Sequence, residues 1–151
     1  MKSTLNLEKT NKKQLPAYWE RGGGYSNTGF AVIVAGKNGE ALKPVYIRRR
    51  GHLANSDHAL FVVKEGYVIV TADEHRGDIA VNVERIKKIT KNENGEYVAE
   101  TESIFDNNYD AYTKEWVEGV EPDEWLKPAV NAAIEKSRCY HCRCPHYIKE
   151  D

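Results

Sequence analysis

The sequence predicts an α+β chain: mainly antiparallel β-sheet, about six strands in successive hairpins forming a small barrel or sandwich, followed by a C-terminal helical segment and a Cys/His tail. Three observations carry that reading. Asn38-Gly39, Glu65-Gly66 and Asn94-Gly95 are tight-turn pairs set between runs rich in β-branched and aromatic residues. After Asp106 the apolar period lengthens from that of a strand to that of a helix. Finally, Cys139, His141, Cys142, Cys144 and His146 crowd into eight residues, and no cysteine lies elsewhere.

The totals bound the function classes. A chain of 151 residues with 40% apolar content suits one globular domain. We divide it into a polar N-terminal arm, 1–17, and a single β-rich domain, 18–151, whose helices span 106–138 and whose metal-binding tail spans 139–147. No run approaches the roughly 20 apolar residues of a membrane span, so no membrane association is expected. Met1–Gln14 is polar, without the apolar core of a secretory signal. An odd cysteine count then points to a reducing compartment, and the expected location is the cytoplasm. A net charge of −1 argues against holding nucleic acid by bulk electrostatics. The charge is unevenly spread: residues 93–124 carry eleven acids and one lysine, whereas 41–56 carry Lys43 and Arg48–Arg50 and no acid.

Taken in order, Pro16 ends the arm, and Tyr18 and Trp19 precede the triple glycine Gly22–Gly24. A phosphate cradle there would need a strand before the glycines, a helix after them and a Gly-Lys-Ser/Thr. A β run comes after them instead, so the glycines read as a loop or bulge. Phe30–Ala35 is a strand, Asn38-Gly39 its turn, and Leu42–Arg50 its return, with Phe30 opposite Ile47 and Val32 opposite Val45. Ala59–Val63 and Tyr67–Thr71 make a second hairpin about Glu65-Gly66. The segment Asp73–Asp78, containing His75, is a polar loop. Ile79, Val81 and Val83 alternate with less apolar neighbours, and Asn94-Gly95 joins their strand to Glu96–Ile104 with Lys87 facing Glu102. Tyr109, Tyr112 and Trp116 then fall at helical spacing, and Gly119 stops that element. Pro122 opens another helix with Leu126, Val130, Ala133 and Ile134 as its apolar face; Pro128 delays the regular part to about residue 128.

Two constellations could carry chemistry. Zinc takes four thiolate or imidazole ligands in a tetrahedron, and Cys139-x-x-Cys142 followed by Cys144 and His146 offers that set. The alternative is completion by an upstream His52, His58 or His75. A redox pair would sit at a helix N-terminus, whereas this one follows a helix C-terminus, where the dipole disfavours a thiolate. The other constellation is Arg48-Arg49-Arg50-Gly51-His52. Guanidinium forks donate paired hydrogen bonds to phosphate or carboxylate, Tyr46 adds an aromatic surface, and Asn27, in the loop leading to the supposed partner strand, comes within reach. The plainer alternative is arginines that cover a sheet edge or pair with the acids of 93–124. No nucleophile elbow or zinc-protease signature is present.

The stretches Trp19–Gly29, Arg48–His52 and Cys139-Tyr-His-Cys142 resemble uncharacterised small proteins encoded by phages and mobile elements. That resemblance implies action on host machinery or host nucleotide signals and transfers no functional residue. The expected function is a non-enzymatic binding module with a structural zinc ion, holding an anionic small molecule, nucleotide or short nucleic acid. The alternatives are a protein-interaction or inhibitor domain whose acidic 93–124 face mimics nucleic acid, and a metal-assisted hydrolase using His52, His58 or His75.

Overall fold

A computed structural model of the chain describes residues 2–9, 15–20, 29–48 and 58–138. Among these residues nine strands join one antiparallel sheet. They are β1 (Lys2–Lys9), β2 (Pro16–Glu20), β3 (Phe30–Ala35), β4 (Tyr46–Arg48), β5 (His58–Val62), β6 (Val68–His75), β7 (Asp78–Lys91), β8 (Tyr97–Asp110) and β9 (Glu115–Trp116). The spatial order is β3-β6-β7-β8-β1-β2-β5-β4, with β9 paired to β8. A single α-helix among the described residues, α1 (Lys127–Ser137), follows short 3₁₀ turns at Val117–Gly119 and Glu124–Leu126.

The β7–β8 hairpin is the spine, each strand running fourteen residues. Its turn is built by Asn92, whose Oδ1 accepts from the amides of Asn94 (3.0 Å) and Glu96 (2.9 Å). Lys87 and Glu102 meet at 3.3 Å, but not as the register pair expected: Glu102 lies opposite Arg85, and Lys87 falls in the irregularity between Ile86 and Lys88. The register slips between Val83 and Glu84 and again between Ile86 and Lys88. Such bulges bend and twist a ribbon, and here they accompany the curl that makes the sheet a nearly closed, barrel-like one.

That curl gives the sheet two apolar cores. Inside it, Val34, Ile69 and Ile86 from one half meet Leu7, Phe61 and Val63 from the other. On the outside, Val70, Val81 and Val83 pack beneath Leu126, Val130 and Ala133 of the helical segment. Arg85 lies over the Trp125 ring at 5.2 Å, tying β7 to the entry of α1. Lys136, only 4% exposed, points its Nζ at the carbonyl of Val32 at 3.4 Å. The helix therefore covers a strand at the end of the sheet path, where a bare edge would invite pairing with another chain. None of the described helices is long and apolar enough to cross a membrane.

Several expectations are corrected. The predicted hairpin between Phe30–Ala35 and Leu42–Arg50 does not form: β3 pairs with β6, and β4 pairs with β5. The Asn38-Gly39 turn is present, but after one bridge, Ala35 with Ala41, the strands part. Pro44 explains the parting, because a residue without an N–H cannot continue a ladder. Residues 59–63 and 67–71 do not pair either; the Lys64–Tyr67 turn sends β5 to β2 and β6 to β7. The supposed polar loop around His75 is the end of β6 and a two-residue turn. Its Arg76 and Gly77 have φ of 53° and 87°, which the sequence concealed by lacking Asn or Asp at the first position. Nor is the N-terminus a free arm. Leu5 and Leu7 alternate with Thr4, Asn6 and Glu8, and β1 lines up against β8 from Lys2 to Leu7.

The predicted helix through Tyr109, Tyr112 and Trp116 is also replaced. Tyr109 is the last residue but one of β8, Trp116 lies in β9, and the two are direct cross-strand partners. A tight turn begun by Asp110, whose carboxylate accepts from the amides of Tyr112 (2.8 Å) and Thr113 (3.1 Å), folds seven-residue spacing back across a hairpin. In contrast α1 begins at Lys127 with Pro128 in its first turn, close to where Pro128 was expected to start it.

Gly39 has a φ of +81°, and a Cβ there would collide with the Trp125 carbonyl oxygen just ahead of α1. Gly39→Ala combines a disfavoured backbone with displacement of the helix entry. Its unfolding midpoint in urea is expected to fall by an amount equivalent to more than about 1 kcal/mol, with the slope unchanged.

Candidate binding site

The basic constellation begins at a sheet edge. Arg48 is the last residue of β4, the terminal strand of the order, and its register partner is His58 of β5. Tyr46 pairs with Leu60 and is 54% exposed, a large aromatic at an open strand. Arg49, Arg50, His52 and Asn27 lie outside the described residues, as do Cys139, Cys142, Cys144 and His146. The strand pairing that would have drawn Asn27 beside the arginines is absent, because β3 lies against β6. His75, one of the histidines considered for a metal, sits exposed at the end of β6 opposite Asp78. Among the described residues no group of three or more His, Cys, Asp or Glu is placed to hold a metal ion.

The acids of 93–124 do not form one face. Glu102 is engaged by Lys87, and Glu121 and Glu124 are both engaged by Lys127, at 3.1 and 2.9 Å. Those hydrogen bonds, Glu124 first, hold the Lys127 ammonium above its ordinary range. Asp106 and Asp110 instead join Asp73 and Asp78 on the sheet surface opposite α1, at neighbouring register positions of β6, β7 and β8. All four are exposed, and Asp78 stands directly across from Asp110. Like charges so placed repel, a cost that Asn108 relieves in part by donating to Asp78 at 3.1 Å.

A third feature was invisible in the sequence. Between the end of β8, β9, the loop after it and the first turns of α1 lies a cavity of about 600 Å³. Tyr109 and Trp116 line it, with their ring centroids 4.9 Å apart at 55°. Phe105 meets Trp116 edge-on at 5.2 Å and 85°, which fixes the plane of the indole. Lys127 and Asn131, one helical turn apart, form the opposite wall; Lys114, Glu115 and Glu121 complete the rim.

The rim loop is braced. The Asn107 side-chain amide donates to the carbonyls of Val117 (3.0 Å) and Val120 (2.9 Å) at once. Between them Glu118 is held at a φ of 56° and Gly119 at 69°. Lys114, at 63°, is fixed by its amide bonding the Asp110 carbonyl at 2.7 Å. Of the three non-glycine residues with positive φ among the described residues, two therefore flank this cavity. Backbone held in such a conformation costs about 1–3 kcal/mol per residue and persists where its surroundings over-determine it. A motif search misses this site because its residues come from four elements.

Comparison with family models, with curated proteins and with solved structures finds no match to the chain.

Replacing Asn107 by Ala removes both hydrogen bonds to the loop. Asn107→Ala is expected to lower stability by about 1–2 kcal/mol, read by denaturant titration, and to speed amide exchange at Val120, in the loop after β9, more than at residues within β8.

Proposed function

We propose that the chain is a non-enzymatic cytoplasmic binding module that holds an anionic, phosphate-bearing ligand, a nucleotide signal or a short stretch of nucleic acid. The observation that carries this reading is the place of Arg48: the end of the edge strand β4, opposite His58, two positions beyond the exposed Tyr46. Arg49, Arg50 and His52 continue the chain from that point, so that with Arg48 four basic or donor side chains fall within five residues. Charge-assisted, forked hydrogen bonds are the strong kind, and they serve local recognition on a chain whose net charge is only −1. Zinc, held by Cys139, Cys142, Cys144 and His146, anchors the tail that follows α1.

A second reading is favoured by the placement of Asp73, Asp78, Asp106 and Asp110 together on one sheet surface. Carboxylates at strand spacing on an exposed face present a row of negative charge to a basic protein surface, as a nucleic acid would. The function would then be a protein-interaction or inhibitor domain.

Calorimetric titration with a nucleoside triphosphate and with a short single-stranded oligonucleotide decides between them. Arg48→Ala with Arg50→Ala should weaken binding by roughly tenfold or more, the loss of charged hydrogen bonds, while Asp73→Asn with Asp106→Asn leaves it unchanged. Binding retained by the arginine variant rejects the first reading. Loss of a basic protein partner in the aspartate variant alone favours the second.

The zinc proposal has its own check. Metal analysis of the purified chain should find a single zinc ion per molecule, lost in Cys142→Ser with Cys144→Ser. A chain isolated without zinc overturns it.

A further inference from the structure

We infer that the cavity between β9 and α1 is a carbohydrate-binding site, separate from the arginine segment and independent of the reading built on it. Its size, about 600 Å³, lies within the usual range for small-molecule pockets, about 300–1,000 Å³. Size alone selects nothing. The selection comes from its charge, the geometry of its aromatic rings and its rigidity.

Charge excludes ions first. Lys114 and Lys127 are matched on the rim by Glu115 and Glu121, and the Lys127 ammonium is already bound by Glu121 at 3.1 Å and Glu124 at 2.9 Å. A phosphate or a free carboxylate would face two rim carboxylates; a simple cation would face two ammoniums. The ligand that loses least is neutral and carries both donors and acceptors. Asn131 adds an amide with one acceptor and two donor hydrogens, and Tyr109 adds a phenol.

Aromatic geometry then separates a sugar from a flat base. A nucleobase stacks flat on an aromatic ring and is held most firmly when a second, parallel ring covers its other face. Here Phe105 and Tyr109 meet Trp116 at 85° and 55°, so the three rings form no parallel pair to close over a planar ligand. A sugar needs one aromatic surface for its C–H face and polar groups around its edge for the hydroxyls. Trp116 and Tyr109 supply the first, and Asn131, Glu115 and Glu121 the second.

Rigidity is the third argument. Hydroxyl-rich ligands gain little net free energy per hydrogen bond, so a site for them must avoid ordering its own loops on binding. The rim meets that requirement before any ligand arrives. Asn107 clamps the carbonyls of Val117 and Val120, the Asp110 carboxylate clamps the amides of Tyr112 and Thr113, and Lys114 and Glu118 are held at positive φ.

Saturation-transfer NMR on the full chain tests the proposal, with maltose, cellobiose, lactose and di-N-acetylchitobiose as probes and adenosine as the planar control. At least one disaccharide should receive saturation, strongest at ring C–H protons, while adenosine receives none. Asn131→Ala and Glu115→Gln, both at exposed positions, should keep the fold and raise the dissociation constant roughly three- to tenfold. Arg48→Ala with Arg50→Ala should leave sugar binding unchanged, so failure of the nucleotide reading and failure of this one are separately visible. No transfer to any of the four sugars through about 10 mM, transfer to adenosine instead, or sugar binding untouched in both cavity variants would each overturn the assignment.

Discussion

Burial of the β6–β7 pair, beneath α1 on one face and inside the curl on the other at the Val68–Val70 and Ile86 end, is the constraint on which the rest of the structure depends. Along β6, Val68, Val70 and Ala72 face the helix while Ile69 faces the inside of the curl. Along β7, Ile79, Val81 and Val83 face the helix and Ile86 faces inward. A strand apolar on one side would be satisfied by one covering layer. At the end formed by Val68, Ile69, Val70 and Ile86 these need two, so the sheet wraps there and a helix comes back over its outer surface. The bulges at Val83/Glu84 and Ile86/Lys88 occur where β7 passes from the half covered by α1 to the half that curls. Fully burying a Val or Ile side chain contributes about 1.5–3 kcal/mol, so this pair of strands outweighs any surface ion pair in the chain.

The same constraint explains what could be read in advance. Alternation in β7, the Asn94-Gly95 hairpin and a helix starting near Pro128 are local properties, and sequence neighbours decide them, whereas the β7–β8 register, which sets Arg85 rather than Lys87 opposite Glu102, depends on bulges they do not announce. Strand partnership is not local. Asn38-Gly39 fixes a turn, yet Pro44 denies the returning chain a ladder, and the strand before the turn takes β6 as its partner. The misread at Tyr109 and Trp116 has a different origin. Seven residues are two helical turns, and they also span a short hairpin, so spacing alone cannot separate the two; the Asp110 side chain, by capping the Tyr112 and Thr113 amides, selects the hairpin. Leu5 and Leu7 were hidden because two leucines among lysines and asparagines are a weak alternation until β8 offers an edge.

Site legibility divides along the same line. Arg48 and Tyr46 could be singled out because basic and aromatic residues stood together in sequence, and the fold puts both on an edge strand. The cavity was not legible. Tyr109, Trp116, Gly119 and Asn131 are spread over 23 positions, and each has an ordinary role when read alone: core aromatic, helix stop, solvated amide. The hint available beforehand was the pair Val117 and Val120, two β-branched residues around a glycine, left exposed in the structure. Their backbone carbonyls, both taken by Asn107, matter more than their side chains.

The chain's modest net charge conceals a partition that the fold creates. Asp73, Asp78, Asp106 and Asp110 gather on the sheet surface opposite α1, the arginine run starts from the β4 edge, and the cavity beside α1 is balanced within itself. At physiological salt, exposed charges separated by more than about 8 Å are largely screened from one another. The three surfaces can therefore hold different chemistry without cancelling, provided the frame between them does not flex. That proviso returns to β6 and β7. A substitution that loosened their double packing would shift the aspartate face and the cavity together, since one side of these strands carries the acids and the other carries the helix that forms the cavity wall. Asn131, Glu115, Asp73 and Asp106 stand at exposed positions on that frame and can be changed without touching it, whereas Asp110 caps the turn before β9. For this reason, loss of binding in those variants reports on recognition, whereas loss in a core variant reports on the frame.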